Sequence, residues 1–232
     1  MGQVAATNLI FKSCPMLNDP SSSDLSTTYN RYVASLLAGD RSTCRTIVEQ
    51  LLADNYPIKI LYQDVFRKSL YHVGELWEQN IISVAREHVA TAITESLLTL
   101  VFPTVCATPK TGKKVVVACT AHELHQLGAR IVADFLEMNG WDSLFLGSNT
   151  PPESLIHYLH EQKPDLLCLS LSVQMNLRHL IETVTKIRNS FSELPIAVGG
   201  QAFNWGGAEQ VTRHYNVNHV ASLDQLERLI QS

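Results

Sequence analysis

The sequence lacks an excess of basic residues and lacks long apolar runs. Its 18 lysines and arginines against 22 aspartates and glutamates give a formal net charge of −4 over 232 residues. A nucleic-acid surface usually needs a basic stripe, so we expect no direct nucleic-acid binding. No uninterrupted apolar run reaches the roughly 18 residues of a membrane span. The N-terminus also lacks the compact apolar segment of a secretory signal. We therefore expect no membrane association.

The cysteines do not show the spacings that are typical of disulfide-rich domains or zinc sites. The chain has five cysteines, an odd number, and none of them forms a CxxC pair: Cys14, Cys44, Cys106, Cys119 and Cys168. Cys119 and Cys168 lie in apolar strand patterns, where a small buried thiol is the ordinary interpretation. This usage fits a reducing compartment, and we expect a cytoplasmic protein.

Two further absences narrow the kind of site. No GxGxxG follows the first predicted strand and no GxxxxGK[ST] occurs anywhere, which disfavours a nucleotide site. No acid–base pair and no nucleophile with a triad pattern stands out, so we do not expect independent catalysis. The sequence favours a binding protein over an enzyme that acts alone, and leaves open a non-catalytic component of an enzyme.

The first half of the chain shows helical periodicity only. Residues 1–24, with two prolines and a serine run, predict a flexible tail. Residues 25–108 predict four helices with short connections, which is typical of an antiparallel bundle, and the polar stretch 104–114 predicts a linker. The expected boundaries are Gly39 at the end of the first helix, Asp40 or Ser42 at the start of the second, Pro57 at the start of the third, and Ser83 and Pro103 at the two ends of the fourth.

The second half, residues 109–232, alternates strands with helices. The strands are expected at 115–119, 143–147, 166–171, 195–199 and around 219–221, and the helices at about 124–139, 151–162, 175–190, 206–213 and 223–231. Repeated strand-then-helix units predict an α/β fold with a doubly wound, five-stranded parallel sheet of flavodoxin or Rossmann type behind the four-helix bundle. Such sheets commonly take the strand order 2-1-3-4-5, with the ligand at the switch point.

Three loops would converge at that switch point, after the first, third and fourth strands. A histidine in the first loop can offer a neutral nitrogen to a metal, with the nearby carboxylate orienting the ring. Serine and glycine are frequent at strand ends for turn geometry alone, but three such loops at one edge favour a site. The residues concerned are Glu123, His125 and Gly128 in the first loop, Ser170 and Ser172 in the second, and Gly199 and Gly200 in the third.

This pattern resembles the cobalamin (vitamin B12)-binding module. That family has DxHxxG, then SxL, then GG; here Glu123-Leu-His125-Gln-Leu-Gly128 is followed after 41 residues by Ser170-Leu-Ser172, and after 26 more by Gly199-Gly200. The resemblance implies that His125 is the lower axial ligand to cobalt and that Glu123 supports it. It also implies that the two serines line a slot for the displaced nucleotide tail, which the glycine pair flanks.

Two departures from the family pattern point to one branch of it. Glu123 stands where methyltransferases and mutases usually have Asp, and Ser172 stands where they have Leu. Both variants resemble the cobalamin-dependent photoreceptor regulators. The bundle agrees, because Trp77, nine residues and then Glu87-His88 resembles the W-x9-EH signature of that group. There the tryptophan covers the upper face of adenosylcobalamin.

Other features of the sequence separate this chain from the best-known photoreceptors. Glu78 stands where they have a second, light-recruited histidine. We expect no DNA-binding helix-turn-helix like theirs in the roughly 25 residues before the bundle, and we expect regulation to work through a protein partner or self-association.

Three functions follow from the resemblance and stay open at this point. The first is a sensor whose bound cobalamin, or another corrinoid, responds to ligand or light. The second is a corrinoid carrier that passes a methyl group between methyltransferases. The third is a photoreceptor that holds a bilin in the same cleft. Trp77 and the Glu87-His88 pair favour the sensor.

Overall fold

The computed structural model describes residues 22–106 and 108–231. The bundle consists of α1 (Ser22–Ala38), α2 (Arg41–Ala53), α3 (the continuous segments Ile58–Ile60, Leu61–Arg67 and Lys68–Glu78) and α4 (Val84–Val105). Residues 1–21 of the predicted tail lie outside the described residues. Its last three residues are helical, since α1 begins at Ser22.

The helix starts and stops predicted from the sequence are confirmed at four places, one of them Pro57, which directly precedes the first residue of α3. Asp40 caps α2, and its carboxylate accepts a hydrogen bond from the Thr43 N–H at 3.0 Å. Ser83 caps α4 through a bond from the Arg86 N–H at 3.3 Å. Gly39 follows α1 with a positive φ of 75°, which glycine adopts without strain. The expected end at Pro103 is wrong by two residues, because α4 continues through that proline to Val105.

The middle of α3 is a π-helix, Leu61–Arg67, which the sequence pattern does not reveal. Its Tyr62 and Phe66 are fully buried, with their ring centroids 5.5 Å apart in a T-shaped contact, and Phe66 also lies 6.2 Å from the ring of Tyr32. Edge-to-face aromatic contacts of this kind stabilise a core beyond simple burial. The wider helical turn therefore carries the aromatic centre of the bundle.

Helix α4 is long and apolar enough to cross a membrane by length and composition. The core helix of a globular protein passes the same test, and α4 packs against α1, α2 and α3. Its Ile93, Leu97, Leu98 and Val101 are at most 2% exposed within the bundle core. We therefore assign α4 to the bundle.

The second half forms the predicted five-stranded parallel sheet, and its order is 2-1-3-4-5. Residues 115–119 are a fully buried β-branched and small-residue run at the centre. The strands are β1 (Lys114–Thr120), β2 (Asp142–Thr150), β3 (Leu166–Ser170), β4 (Ile196–Gly199) and β5 (Asn218–Val220). The helices between them are α5 (Leu127–Met138), α6 (Pro152–Gln162), α7 (Leu177–Ser190), α8 (Ala208–Tyr215) and α9 (Leu223–Gln231).

The helices cover both faces of the sheet, which confirms the doubly wound arrangement. One hydrophobic core lies beneath α6, α7 and α8. The other joins the opposite face, α5 and α9 to the whole bundle. Because the bundle shares this second core, it is packed onto the sheet and not merely tethered by the linker.

Polar contacts fix the position of the bundle on that face. The Tyr62 hydroxyl donates to Asp134 Oδ2 at 2.8 Å in a buried bond between α3 and α5. The Lys59 ammonium at the start of α3 contacts Glu227 of α9 at 2.6 Å. Burial raises the pKa of Asp134, although its bonds from Tyr62 and Arg130 oppose that change. The third helix is thus fastened to the α/β part at two points.

Candidate functional site

A cleft of about 510 Å³ lies between the bundle and the carboxyl edge of the sheet. The strand register brings the three predicted loops together there, since Cys119 pairs with Ser170 and Ser170 pairs with Gly199. Helices α3 and α4 form the opposite wall. Nine of the residues singled out in the sequence line this one cleft: Trp77, Glu87, His88, His125, Gly128, Ser170, Ser172, Gly199 and Gly200.

Glu123 lies directly behind the cleft wall and is fully buried. Its Oε1 accepts from His125 Nδ1 at 2.6 Å and from the His125 backbone N–H at 3.0 Å. Its Oε2 accepts from the backbone N–H groups of Ser172 and Val173 at 2.9 and 3.0 Å. Burial alone raises the pKa of Glu123, but these hydrogen bonds outweigh it and lower the pKa to about 2. A permanent carboxylate therefore joins the first loop to the second.

His125 precedes α5 and its side chain is 56% exposed. Since Glu123 engages Nδ1, the other ring nitrogen, Nε2, is the one available to a ligand. The bond to Glu123 raises the pKa of His125, and the nearby charge of Glu87 adds to this. The predicted helix start at residue 124 is wrong, because α5 begins at Leu127. As a result Leu124 is 69% exposed and lines the cleft instead of packing under the helix.

Ser170 and Gly128 face each other across a narrow gap. Ser170 is buried at the end of β3, and a Cβ added to Gly128 would lie 3.9 Å from its hydroxyl, an ordinary contact distance. Ser172 is half-buried beside them, and its backbone is held by Glu123. Glycine at 128 is therefore compatible with space for a ligand and is not required by the packing of the protein itself.

Unlike Gly128, the glycines at positions 199 and 200 are required by the packing of the protein itself. A Cβ on Gly199 would lie 2.6 Å from the Val220 carbonyl oxygen. One on Gly200, whose φ is 118°, would lie 2.2 Å from the Leu171 carbonyl oxygen. Both distances are far inside van der Waals contact, and the φ of Gly200 is strained for any other residue. The sequence interpretation is that these glycines make room for a ligand. The structure adds a second reason, because two backbone carbonyls lie too close to both positions for any other residue.

The bundle wall presents Trp77, Glu87 and His88. Trp77 is the next-to-last residue of α3, and 44% of its surface is exposed. Glu87 accepts a bond from the Thr91 hydroxyl at 2.8 Å, and its other oxygen lies 3.5 Å from Nε2 of the 73% exposed His88. The end of α3 and the start of α4 thus lie together on the bundle wall of the cleft that His125 also lines.

Several lining residues were not indicated by the sequence. Arg67, Tyr71, Val84 and Glu95 come from the bundle, and Gln126 comes from the histidine loop. Gln126 Nε2 donates to Glu95 Oε1 at 3.0 Å, which joins the loop to α4. Helical periodicity assigns α3 and α4 to a bundle but does not show which of their exposed side chains the sheet edge faces.

The chemistry of the cleft fits a corrinoid. Tyr71, Trp77, Val84 and Leu124 are large apolar side chains that remain exposed here, as a wide apolar ring requires. Within residues 22–106 and 108–231 no group of three or more His, Cys, Asp or Glu could hold a metal ion. The cleft instead offers one imidazole, His125, backed by the carboxylate of Glu123. This arrangement matches a metal that a macrocycle already holds and that needs only one more nitrogen ligand.

Comparisons with known proteins agree with this fit. A B12 binding domain model matches residues 113–217, and a second B12 binding domain model matches residues 28–101. The HTH-type transcriptional repressor CarH of Myxococcus xanthus is 28% identical over 172 residues, covering 73% of this chain and 56% of the repressor. The methanol–corrinoid protein of Methanosarcina barkeri is 29% identical over 98 residues, covering 42% of this chain and 38% of that protein.

A solved structure shows the same architecture. The monomethylamine corrinoid protein of Methanosarcina barkeri superposes with a TM-score of 0.76 at 12% identity, covering 88% of this chain and 97% of that one. At that identity the likeness shows the fold alone. The chain spans about half the length of the curated repressor. With its bundle and its α/β part each matched by a family model, this chain belongs to the B12-binding domain family.

Proposed function

We propose that this chain is a cobalamin-dependent regulatory protein whose bound corrinoid controls its association with a protein partner or with itself. In this proposal the corrin ring lies in the cleft between bundle and sheet. His125 Nε2 supplies the lower axial ligand to cobalt, and Gly128, Ser170 and Ser172 line the slot for the nucleotide tail. Adenosylcobalamin is the proposed form, and the cytoplasm is the proposed compartment.

The observation that carries the regulatory function is the position of Trp77. Its exposed indole lies on the bundle wall of the same cleft that His125 lines from the sheet. An indole over the upper face fills space that a methyl carrier needs to keep open for its partner enzymes. It would instead shelter a bulky upper ligand, and loss of that ligand would leave a gap for the bundle to close. Such a difference between two states is what a switch requires.

When bound, the corrinoid supplies a cobalt centre whose upper ligand can be exchanged or released by light. The residues of this chain do the rest of the work. Glu123 holds the ring of His125 in one orientation and keeps a negative charge beside it. Trp77 of the bundle and Leu124 of the histidine loop line the cleft and offer apolar surface to the ring. Any effect on transcription would pass through a protein partner, in line with the net charge of −4.

The corrinoid carrier is the second candidate, and two similarities favour it. One relative is named a methanol–corrinoid protein, and the superposed structure is a monomethylamine corrinoid protein. A carrier would use the same His125 ligation with a different partner on the upper face. A bilin in the same cleft stays a further prediction, which titration of the apoprotein with a bilin checks.

The experiment compares Trp77→Ala with wild type and with Trp205→Ala, a matched loss of a 53% exposed tryptophan after β4. Adenosyl- and hydroxocobalamin are titrated into each protein, and oligomer size is followed in the dark and after green light. We expect wild type and Trp205→Ala to prefer adenosylcobalamin and to change size on illumination. Trp77→Ala should lose the preference and the size change while keeping histidine ligation.

A different set of results would favour the corrinoid carrier over the regulatory protein. Equal affinity of wild type for both cobalamins, no change of size in light, and efficient methyl transfer to an added corrinoid methyltransferase would contradict the regulatory proposal. Binding of neither cobalamin would contradict both candidates.

A further inference from the structure

The side chain of Gln126 forms a bridge from the histidine loop to the bundle. Its Nε2 donates to Glu95 Oε1 of α4 at 3.0 Å, and both residues line the cleft. Lys59, Tyr62 and Gln63 of α3 form further hydrogen bonds and ion pairs with helices of the α/β part. Arg130 of α5 lies over the ring of Phe102 in α4, 5.0 Å from its centroid. The Gln126–Glu95 bond is thus the contact that joins α4 to the residue next to His125.

The surroundings of Gln126 restrict its position. Its backbone carbonyl accepts the first bond of α5, from the Arg130 N–H at 2.9 Å. Its Oε1 would lie 3.1 Å from a Cβ on Gly147, whose φ is 81°, so β2 approaches the amide closely from the other side. The amide therefore sits between α4 and the edge strand, at the place where the loop turns into the helix.

We propose that Gln126 is a positioning residue for His125, and that Glu95 transmits the position of the bundle to the lower cobalt ligand through it. This inference rests on the proposed function, since it concerns the same ligand. Glu123 fixes the ring of His125 from the sheet side, and Gln126 fixes the loop from the bundle side. A shift of α4 caused by events at Trp77 would then reach the opposite face of the corrin.

The hydrogen-bond chemistry provides a sharp test, because the donor and acceptor can be exchanged. Gln126→Glu places two carboxylates against each other and breaks the bond. The double variant Gln126→Glu/Glu95→Gln restores a glutamine–carboxylate bond with the direction reversed and the net charge of wild type. Gln50→Glu is a matched control, since Gln50 Nε2 donates to Asp54 Oδ1 at 3.0 Å on the exposed face of α2, away from the cleft.

Each protein is titrated with hydroxocobalamin, and histidine ligation is measured from the spectrum after reduction to the cobalt(II) form. We expect Gln126→Glu to bind about tenfold more weakly with less histidine ligation, the effect of losing a charge-assisted hydrogen bond. The double variant should return towards wild type, and Gln50→Glu should match wild type. Hydrogen exchange of the apoprotein should show faster exchange at residues 121–128 in Gln126→Glu alone.

Two results would overturn the inference without affecting the proposed function. One is normal ligation and normal exchange in Gln126→Glu while wild type binds cobalamin through histidine. The other is failure of the double variant to recover, or equal weakening in Gln50→Glu. If wild type itself does not bind cobalamin, the proposed function fails, and the exchange experiment still decides whether Gln126 and Glu95 fasten the loop.

Discussion

Glu123 Oε1 lies 2.6 Å from Nδ1 of His125, and the carboxylate that makes this contact is completely buried. Its second oxygen accepts hydrogen bonds from two backbone N–H groups in the loop after β3. A single side chain therefore orients the candidate axial ligand and joins two of the three loops at the switch point. This arrangement gives Glu123 a structural role that can be measured without any corrinoid.

Glu123→Gln should destabilise the protein at neutral pH. The pKa of Glu123 is lowered from 4.5 to about 2 in the folded protein. Its charge therefore contributes stability that is complete above about pH 4.5 and is lost as the pH falls towards 2. The shift corresponds to at most about 3 kcal/mol in the free energy of unfolding.

Denaturant unfolding between pH 3 and pH 7 checks this. The difference between Glu123→Gln and wild type should shrink as the pH falls through that window. Glu161→Gln serves as control, because Glu161 pairs with His157 on the surface and should leave the free energy of unfolding unchanged. A difference that is the same at both ends of the range would contradict the role given to the charge.

Tyr62→Phe should weaken the attachment of the bundle to α5. The change removes the donor to Asp134 Oδ2, a carboxylate only 2% exposed, and leaves that oxygen without the bond. We expect the free energy of unfolding to fall by about 1–3 kcal/mol. Urea unfolding measures it, with Tyr158→Phe in the half-buried surface of α6 as the comparison. Equal stability of the two variants would show that the Tyr62 bond contributes nothing.

The glycines of the cleft should separate into two kinds. Gly200→Ala forces a Cβ against the Leu171 carbonyl at a φ of 118°, and we expect a loss of about 3 kcal/mol or more in unfolding free energy. Gly128→Ala should fold normally, because its Cβ meets the Ser170 hydroxyl at 3.9 Å. Thermal unfolding of the apoproteins distinguishes them.

A larger residue at position 128 tests whether the space beside Gly128 holds part of the ligand. Gly128→Leu should remain folded while its side chain blocks the slot beside Ser170, so cobalamin affinity should fall well below that of Gly128→Ala. Unimpaired binding by a folded Gly128→Leu protein would place the nucleotide tail elsewhere.

Much of the architecture could be predicted because it depends on local patterns. The apolar run at 115–119 is a central strand, Asp40 and Ser83 begin helices, and alternation of strands with helices gave the correct sheet order. The convergence of the three loops then followed from topology alone, since parallel strands place their carboxyl ends at one edge. His125 and Glu123 could be singled out for that reason, and by their resemblance to a known motif.

Other features depend on contacts between segments that are distant in the chain. The requirement for glycine at 199 and 200 comes from backbone carbonyls of Val220 and Leu171, which no local pattern displays. Leu124 has helical spacing with Leu127 but lies outside the helix, because the Glu123 carboxylate accepts the His125 backbone N–H and α5 begins only at Leu127. The Gln126–Glu95 bond likewise exists only once the bundle packs on the sheet.

His125→Ala should abolish histidine ligation and weaken corrinoid binding, because Nε2 is the only ring nitrogen that Glu123 leaves available. His157→Ala is the matched control, an exposed histidine with a glutamate partner on α6. Absorption spectra of the two variants with hydroxocobalamin check the prediction. An unchanged spectrum and affinity in His125→Ala would show that the lower ligand is another group.

The most direct test of the central claim is electron paramagnetic resonance of the protein with cob(II)alamin, prepared once with natural-abundance histidine and once with ¹⁵N-histidine. Ligation by His125 predicts that the nitrogen hyperfine pattern on the cobalt lines changes on labelling, and that this dependence on the label disappears in His125→Ala. A pattern that is the same in labelled and unlabelled protein would mean that cobalt keeps its own base, and would contradict the assignment of this cleft.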